Sequence, residues 1–155
     1  MATWQQFTEQ APDLASSARA RFEAHTHHVL ATLRRDGSPR VSGTEVQFHG
    51  PELTIGSMWG ALKARDLQRD GRCAVHAHPT DASMDGGDAK VTARAVEVTE
   101  ADELDAFREA TGPPPGDFHL FRLDLDEVVH TAVDGDHLLI RLWRPGRGVT
   151  EFRRQ

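Results

Sequence analysis

The chain has 155 residues, 38% of them hydrophobic and 27% charged, which suits one globular domain with a real core and excludes a disordered chain or two ordinary domains. A net charge of −6 argues against a broad nucleic-acid-binding face, because phosphate backbones need a basic footprint. Cys73 is the only cysteine, no apolar run approaches the roughly 18 residues of a membrane span, and Met1 to Gln10 lacks a basic stretch leading into an apolar one, so the expectation is a cytoplasmic protein without membrane association.

Trp4, Phe7, Leu14, Ala18 and Phe22 recur at helical steps, and Pro12 interrupts them at a position suited to opening a second helix. Residues 3 to about 24 therefore read as helix, break, helix. From His28 to Leu33 the residues are apolar or β-compatible on both faces, as in a strand covered on two sides. Asp36-Gly37 is a hairpin turn, and Arg40 to Phe48 reads as the returning strand. After the turn at His49-Gly50-Pro51 comes a short strand, Leu53 to Ile55, ending at Gly56-Ser57. Ala61 to Arg69 has helical character, and Asp70-Gly71 ends it.

Cys73 to His78 is a further strand, Pro79 to Asp88 a polar loop, and Ala89 to Val98 an alternating strand. Acids after Thr99 open a helix from about 100 to 110, and Gly112-Pro113-Pro114-Pro115-Gly116 stops it. Phe118 to Leu125 alternates as a strand, and Asp134-Gly135-Asp136 turns the chain into a last strand running to Trp143. The reading is one mainly β domain over 1–155: a helical segment 1–24, a barrel 25–144 and a basic tail 145–155. Six or seven antiparallel strands hide their edges most economically by closing into a barrel.

One segment points to chemistry. At Gly56-Ser57-Met58-Trp59-Gly60-Ala61-Leu62-Lys63 a strand ends in glycine and serine, and a helix opens with a lysine in its first turn. Backbone N–H groups, a hydroxyl and an ammonium there form the outline of a phosphate site, although a basic helix face is as often simply solvated. Other residues have plainer readings. His27 and His28 point to opposite faces of a strand and lack partners at metal-ligand spacing. His76 and His78 share a face and suit cross-strand packing or the lining of a pocket, Cys73 is a small buried thiol, and Trp143 packs in the core.

The hairpin Val29 to Val41, the strand Leu53-Thr54-Ile55-Gly56-Ser57 and the helix Lys63-Ala64-Arg65-Asp66-Leu67 resemble the pyridoxamine 5′-phosphate oxidase-like superfamily of FMN- and F420-binding proteins. The resemblance implies a split β-barrel with peripheral helices, working as a homodimer with its cofactor at the subunit interface. It implies phosphate contacts from Arg40, Ser57 and Lys63, support from Gly56 and Arg65, and a flavin ring lined by Val41, Ser42, Gly43 and Thr44. The implied activity is hydride transfer to or from a small organic substrate, with FMN as cofactor and F420 as the alternative. Some relatives bind haem, for which His76, His78, His119 and His130 are candidate ligands, so a non-catalytic flavin- or haem-binding module is a further alternative. No side chain is assigned as a catalytic acid or base, and no metal site is assigned. Two positions depart from the pattern: Leu62 stands where many relatives have a second basic residue, and Glu45 stands where the vitamin-processing oxidases can have one.

Overall fold

The computed structural model describes residues 1–155. Helices α1 (Trp4–Gln10) and α2 (Pro12–Glu23) lead into strands β1 (His28–Leu33), β2 (Pro39–Thr44), β3 (Val46–His49) and β4 (Glu52–Met58). Helix α3 (Leu62–Arg69), β5 (Arg72–His76), β6 (Asp88–Glu97), α4 (Ala101–Thr111), β7 (Phe118–Asp134), β8 (His137–Arg144) and β9 (Gly148–Arg154) follow. No helix is long and apolar enough to cross a membrane.

All nine strands belong to one antiparallel sheet, in the order β2-β1-β5-β6-β7-β4-β3, with β8 also on β7 and β9 on β8. The 17-residue β7 is the branch point. One of its edges pairs with β6 from Phe121 to Thr131, while the other is divided: β4 takes Phe118 to Arg122 and β8 takes Val128 to Asp134. Between them Ala2 exchanges two backbone hydrogen bonds with Leu125, so the N-terminus fills the gap in the edge. Opposite Thr92 and Ala93, Asp126 is an extra residue in β7. Such a bulge reverses which side chains face inward. Accordingly Phe121, Leu123 and Leu125 are buried before it, and Val128 and His130 after it.

The main core lies between the sheet and α1–α2, where Trp4, Phe7, Leu14, Ala18 and Phe22 are buried with Trp143. The helices dock through aromatic edges: Trp4 of α1 meets Phe48 of β3 at 4.9 Å and Phe22 of α2 at 6.4 Å, both edge to face. Thr3 caps α1 in a reciprocal pair with Gln6, and Pro12 opens α2. A smaller cluster of Val98, Phe107 and Leu120 seats α4.

Five expectations are corrected. There are nine strands where six or seven are expected. The returning strand from Arg40 to Phe48 is two: the chain leaves β1 after Thr44, and Val46 to His49 pairs with β4 instead. Gly56 and Ser57 lie inside β4, because β7 supplies backbone partners as far as Met58. The basic tail is largely β9, paired with β8 from Gly148 to Arg154, a pairing that local composition does not reveal. Moreover β1 is covered on one face only: His28, Leu30 and Thr32 are buried, whereas Val29 on the other face is 37% exposed.

Candidate functional site

The uncovered face of the β1–β2 hairpin is apolar throughout. Cross-strand partners share a face, so the pairs Val29 with Gly43, Ala31 with Val41 and Leu33 with Pro39 form one surface. Val41 is 70% exposed on it. Arg40, Ser42 and Thr44 point to the opposite face, and the buried Thr44 hydroxyl donates to the Glu45 carbonyl. The four strand residues expected to line a ring are therefore divided between two faces, with Val41 and Gly43 on the open one. A side chain added at Gly43 or at Gly56 would meet no atom within 4 Å. Glycine in a strand with open space above it is what close approach of a flat ligand requires.

Helix α3 stands beside this hairpin. The Lys63 Nζ donates to the Gly43 carbonyl at 3.0 Å, which ties the first turn of α3 to β2. Burial lowers the pKa of this ammonium, with Glu45 opposing. Lysine in a first helical turn also faces the positive end of the helix dipole. A cation destabilised in both ways gains more than an ordinary surface lysine from an anion brought to it.

Asp66 organises the next turn. It is 2% exposed, and its carboxylate accepts from Arg40 Nε at 2.7 Å, Thr32 Oγ1 at 2.8 Å and Arg69 at 2.9 Å. Burial by itself raises its pKa, but these three donors outweigh burial and hold the carboxyl below its ordinary range. Arg40, expected to hold phosphate directly, thus also reaches into the protein to fix Asp66. Around this pair lies a depression of about 530 Å³ whose rim carries Arg34, Arg35, Arg40, Arg65 and Arg69 against only Asp36 and Asp66. It is a strongly cationic spot on an acidic chain, and it draws anions.

The structure thus brings Arg40 and Arg65 together in one depression and places Lys63 at the neighbouring strand. Ser57 is not among the residues lining the depression. It is buried in β4 opposite His119, and its hydroxyl donates to the Met58 carbonyl at 3.2 Å.

A second group fixes the turn before α3. His119 is buried, Trp59 stacks on it at 4.4 Å with only 7° between the ring planes, and its Nε2 accepts the Gly60 N–H at 3.1 Å. The other ring nitrogen, Nδ1, therefore carries the proton and donates to Glu97 at 3.0 Å. Glu97 also accepts from Gln68 Nε2 at 2.9 Å, and Gln68 accepts from Arg65 at 2.9 Å. A continuous chain of contacts runs from His119 under the turn to the exposed arginine of α3. Met58, Trp59 and Leu62 stand out from this turn at 83%, 61% and 64% exposure, an apolar tip beside the apolar hairpin face.

Sequence reasoning missed Asp66, Arg34, Arg35, Arg69 and the His119–Glu97 pair. Asp66 carried a signal: it falls between Ala64 and Leu67 on the inward face of α3, where a carboxylate has to be paired. Of the other histidines, His130 uses both ring nitrogens, His78 stacks on His25 at 4.0 Å, and the ring of His76 faces the Ala77 carbonyl. Cys73 is buried and pushed up to about 12 by burial, as an inert core thiol should be.

The family model described as pyridoxamine 5′-phosphate oxidase matches residues 14–132. No curated protein shows a significant sequence match to the chain. Among solved structures, ChuZ of Campylobacter jejuni superposes with a TM-score of 0.68 at 15% identity, over 90% of this chain and 62% of its own. The chain thus spans less than two thirds of that relative. A pyridoxamine 5′-phosphate oxidase-related, FMN-binding protein of Nostoc punctiforme gives 0.63 at 12% identity, covering 94% of this chain and 96% of its own. A haem-binding protein of Mycobacterium smegmatis gives 0.51 at 19% identity, with 90% and 87% covered. These likenesses show the split-barrel fold.

Proposed function

The chain belongs to the pyridoxamine 5′-phosphate oxidase family, and from that premise we propose that it is a flavin-binding oxidoreductase which holds FMN at a homodimer interface and serves hydride transfer with a small organic substrate. The observation that carries the reading is the meeting of Lys63 with Gly43, where a desolvated ammonium stands at the edge of an apolar strand face left open by glycine. FMN would supply the redox chemistry, accepting and releasing the hydride. The residues of the chain bind and orient. Lys63, with Arg40 and Arg65, answers the phosphate, while Val41, Gly43 and Gly56 leave room for a flat ring and keep water from one side of it. The homodimer is supported by the exposed apolar surface itself: Val29, Val41, Met58, Trp59 and Leu62 form adjoining patches that a second copy would cover.

A second reading, the deazaflavin F420, is favoured by the five arginines of the depression. One phosphate does not require that much positive charge, and a cofactor with a longer anionic tail would use more of it. Titration of the purified chain with FMN, followed by flavin fluorescence, tests the first reading, and the same titration with F420 tests the second. Lys63→Ala is expected to weaken the cofactor that binds by about 1.5–3 kcal/mol, roughly ten- to a hundredfold. Affinity unchanged in that variant would remove the role given to Lys63.

A further inference from the structure

Groups from four parts of the chain are joined in one line of hydrogen bonds beside α3. The Gly60 N–H, in the turn before α3, donates to His119 Nε2 of β7 at 3.1 Å, and His119 Nδ1 donates at 3.0 Å to Glu97 Oε1, at the end of β6. From the other side Arg65 donates to Gln68 Oε1 at 2.9 Å, and the Gln68 amide donates to Glu97 Oε2 at 2.9 Å. Arg65 and Gln68 lie three residues apart on α3 and so share a face. Both ends of the line, a backbone N–H and a guanidinium, can only donate. Such a line closes only if one member in the middle accepts from both directions, and Glu97 is its one carboxylate.

That carboxylate fixes the direction of every other member. His119 is 2% exposed and held on its far side by a backbone N–H, so its proton has to face Glu97. Gln68 has to turn its NH2 toward Glu97, which leaves its oxygen for Arg65. The arrangement also steers Arg65 without pairing it to an anion. Of the three guanidiniums that β2 and α3 bring to the arginine depression, Arg40 and Arg69 pair with Asp66, whereas Arg65 is met by a neutral amide. Its charge is left for whatever anion enters.

We propose that Glu97 is a positioning residue of the anion site: acting through Gln68, it holds the Arg65 guanidinium at the depression in the orientation that meets the phosphate of a bound cofactor. The inference rests on the reading of the depression as the place where that phosphate is answered, and it adds a residue that does not itself line the depression.

Glu97→Gln separates the two ends of the line. The new amide has one accepting oxygen. His119 cannot turn, so the oxygen stays with it, and the new NH2 faces the NH2 of Gln68. Gln68 is exposed and turns in response, which presents its own NH2 to Arg65. Tryptophan fluorescence should therefore stay native, while FMN, followed by flavin fluorescence, binds the full chain about threefold more weakly, the worth of one exposed hydrogen bond. The sign discriminates, because loss of a negative charge would by itself strengthen the binding of an anion. Gln68→Ala should cause the same loss, and in an Arg65→Ala background Glu97→Gln should cause none, since effects transmitted through one group do not add. Unchanged or tighter binding by Glu97→Gln overturns the proposal, as does an equal further loss in the Arg65→Ala background. Altered tryptophan fluorescence in Glu97→Gln, which would put the break at His119, overturns it too. Absence of FMN binding by the unaltered chain instead overturns the cofactor reading, and the same variants are then compared with inorganic pyrophosphate under the same criteria. If pyrophosphate also fails to bind the unaltered chain, the positioning role falls as well.

Discussion

Strand β7 carries two buried histidines, one in each half, and their surroundings are opposite. His119, in the half beside β4, meets a carboxylate on one side and a backbone N–H on the other, under a stacked indole. His130, in the half beside β8, meets a carbonyl and two guanidiniums. Both rings tie the barrel to a turn, yet the first is wired to Glu97, Gln68 and α3, and the second to the Gly86 carbonyl and the Arg141 guanidinium. What a buried histidine does is set by the elements its strand brings to it, and the divided edge of β7 brings different ones to each half.

The largest effect expected from breaking this contrast lies on the α3 side. Asp66→Ala leaves Arg40 and Arg69 without their shared carboxylate and should destabilise the fold by about 3 kcal/mol, the low end for a broken buried ion pair because both guanidiniums keep some solvent access. Denaturant unfolding measures it, and a loss below about 1 kcal/mol, the scale of a surface pair, would mean that Asp66 is not the organiser of that turn. His119→Ala strips Gly60 of its acceptor and Trp59 of its platform, and about 2 kcal/mol should follow. The change should also release Trp59, seen as altered tryptophan fluorescence and faster exchange of the Gly60 amide. Native fluorescence and exchange in that variant would contradict the stacked arrangement.

A smaller effect belongs to His130. Burial first, and then Arg141 and Arg21, lower its pKa, so the folded state binds its proton less readily than the unfolded chain. Its contribution to stability is complete above the unfolded value near 6.5 and is lost as pH falls toward the folded value, with a slope of at most about 1.4 kcal/mol per pH unit. His28, also lowered mainly by burial, adds to the same slope. His130→Asn should make stability less dependent on pH in that window, whereas an unchanged slope would show that the ring is not held neutral. The smallest effect is at Cys73, outside both halves. With its thiol raised to about 12, it should stay unlabelled by a thiol reagent at neutral pH until the chain unfolds.

Much of the fold was legible because its signals are local. Pro12, the turns at Asp36-Gly37 and Asp134-Gly135, and the alternation of β6 mark element boundaries without reference to anything distant. The phosphate-like segment was equally visible, since strand, turn and helix with its lysine follow one another in the chain. Where local reading failed, partners came from far away. The break at Glu45 depends on β3 finding β4, and the tail became β9 because β8 offered it an edge.

The residues by themselves determined where helices and strands form, that the chain builds a mainly β domain, and that one lysine opens a helix beside a glycine-bearing strand. Only the tertiary structure decided that Asp66 gathers Arg40, Arg69 and Thr32, that His119 rests on Glu97, and that Arg141 reaches Ser17 and His130 with no carboxylate. Periodicity states which face a side chain takes within its own element. Which element then covers that face is set by strand order and register, and the charge a buried group meets there follows from those alone.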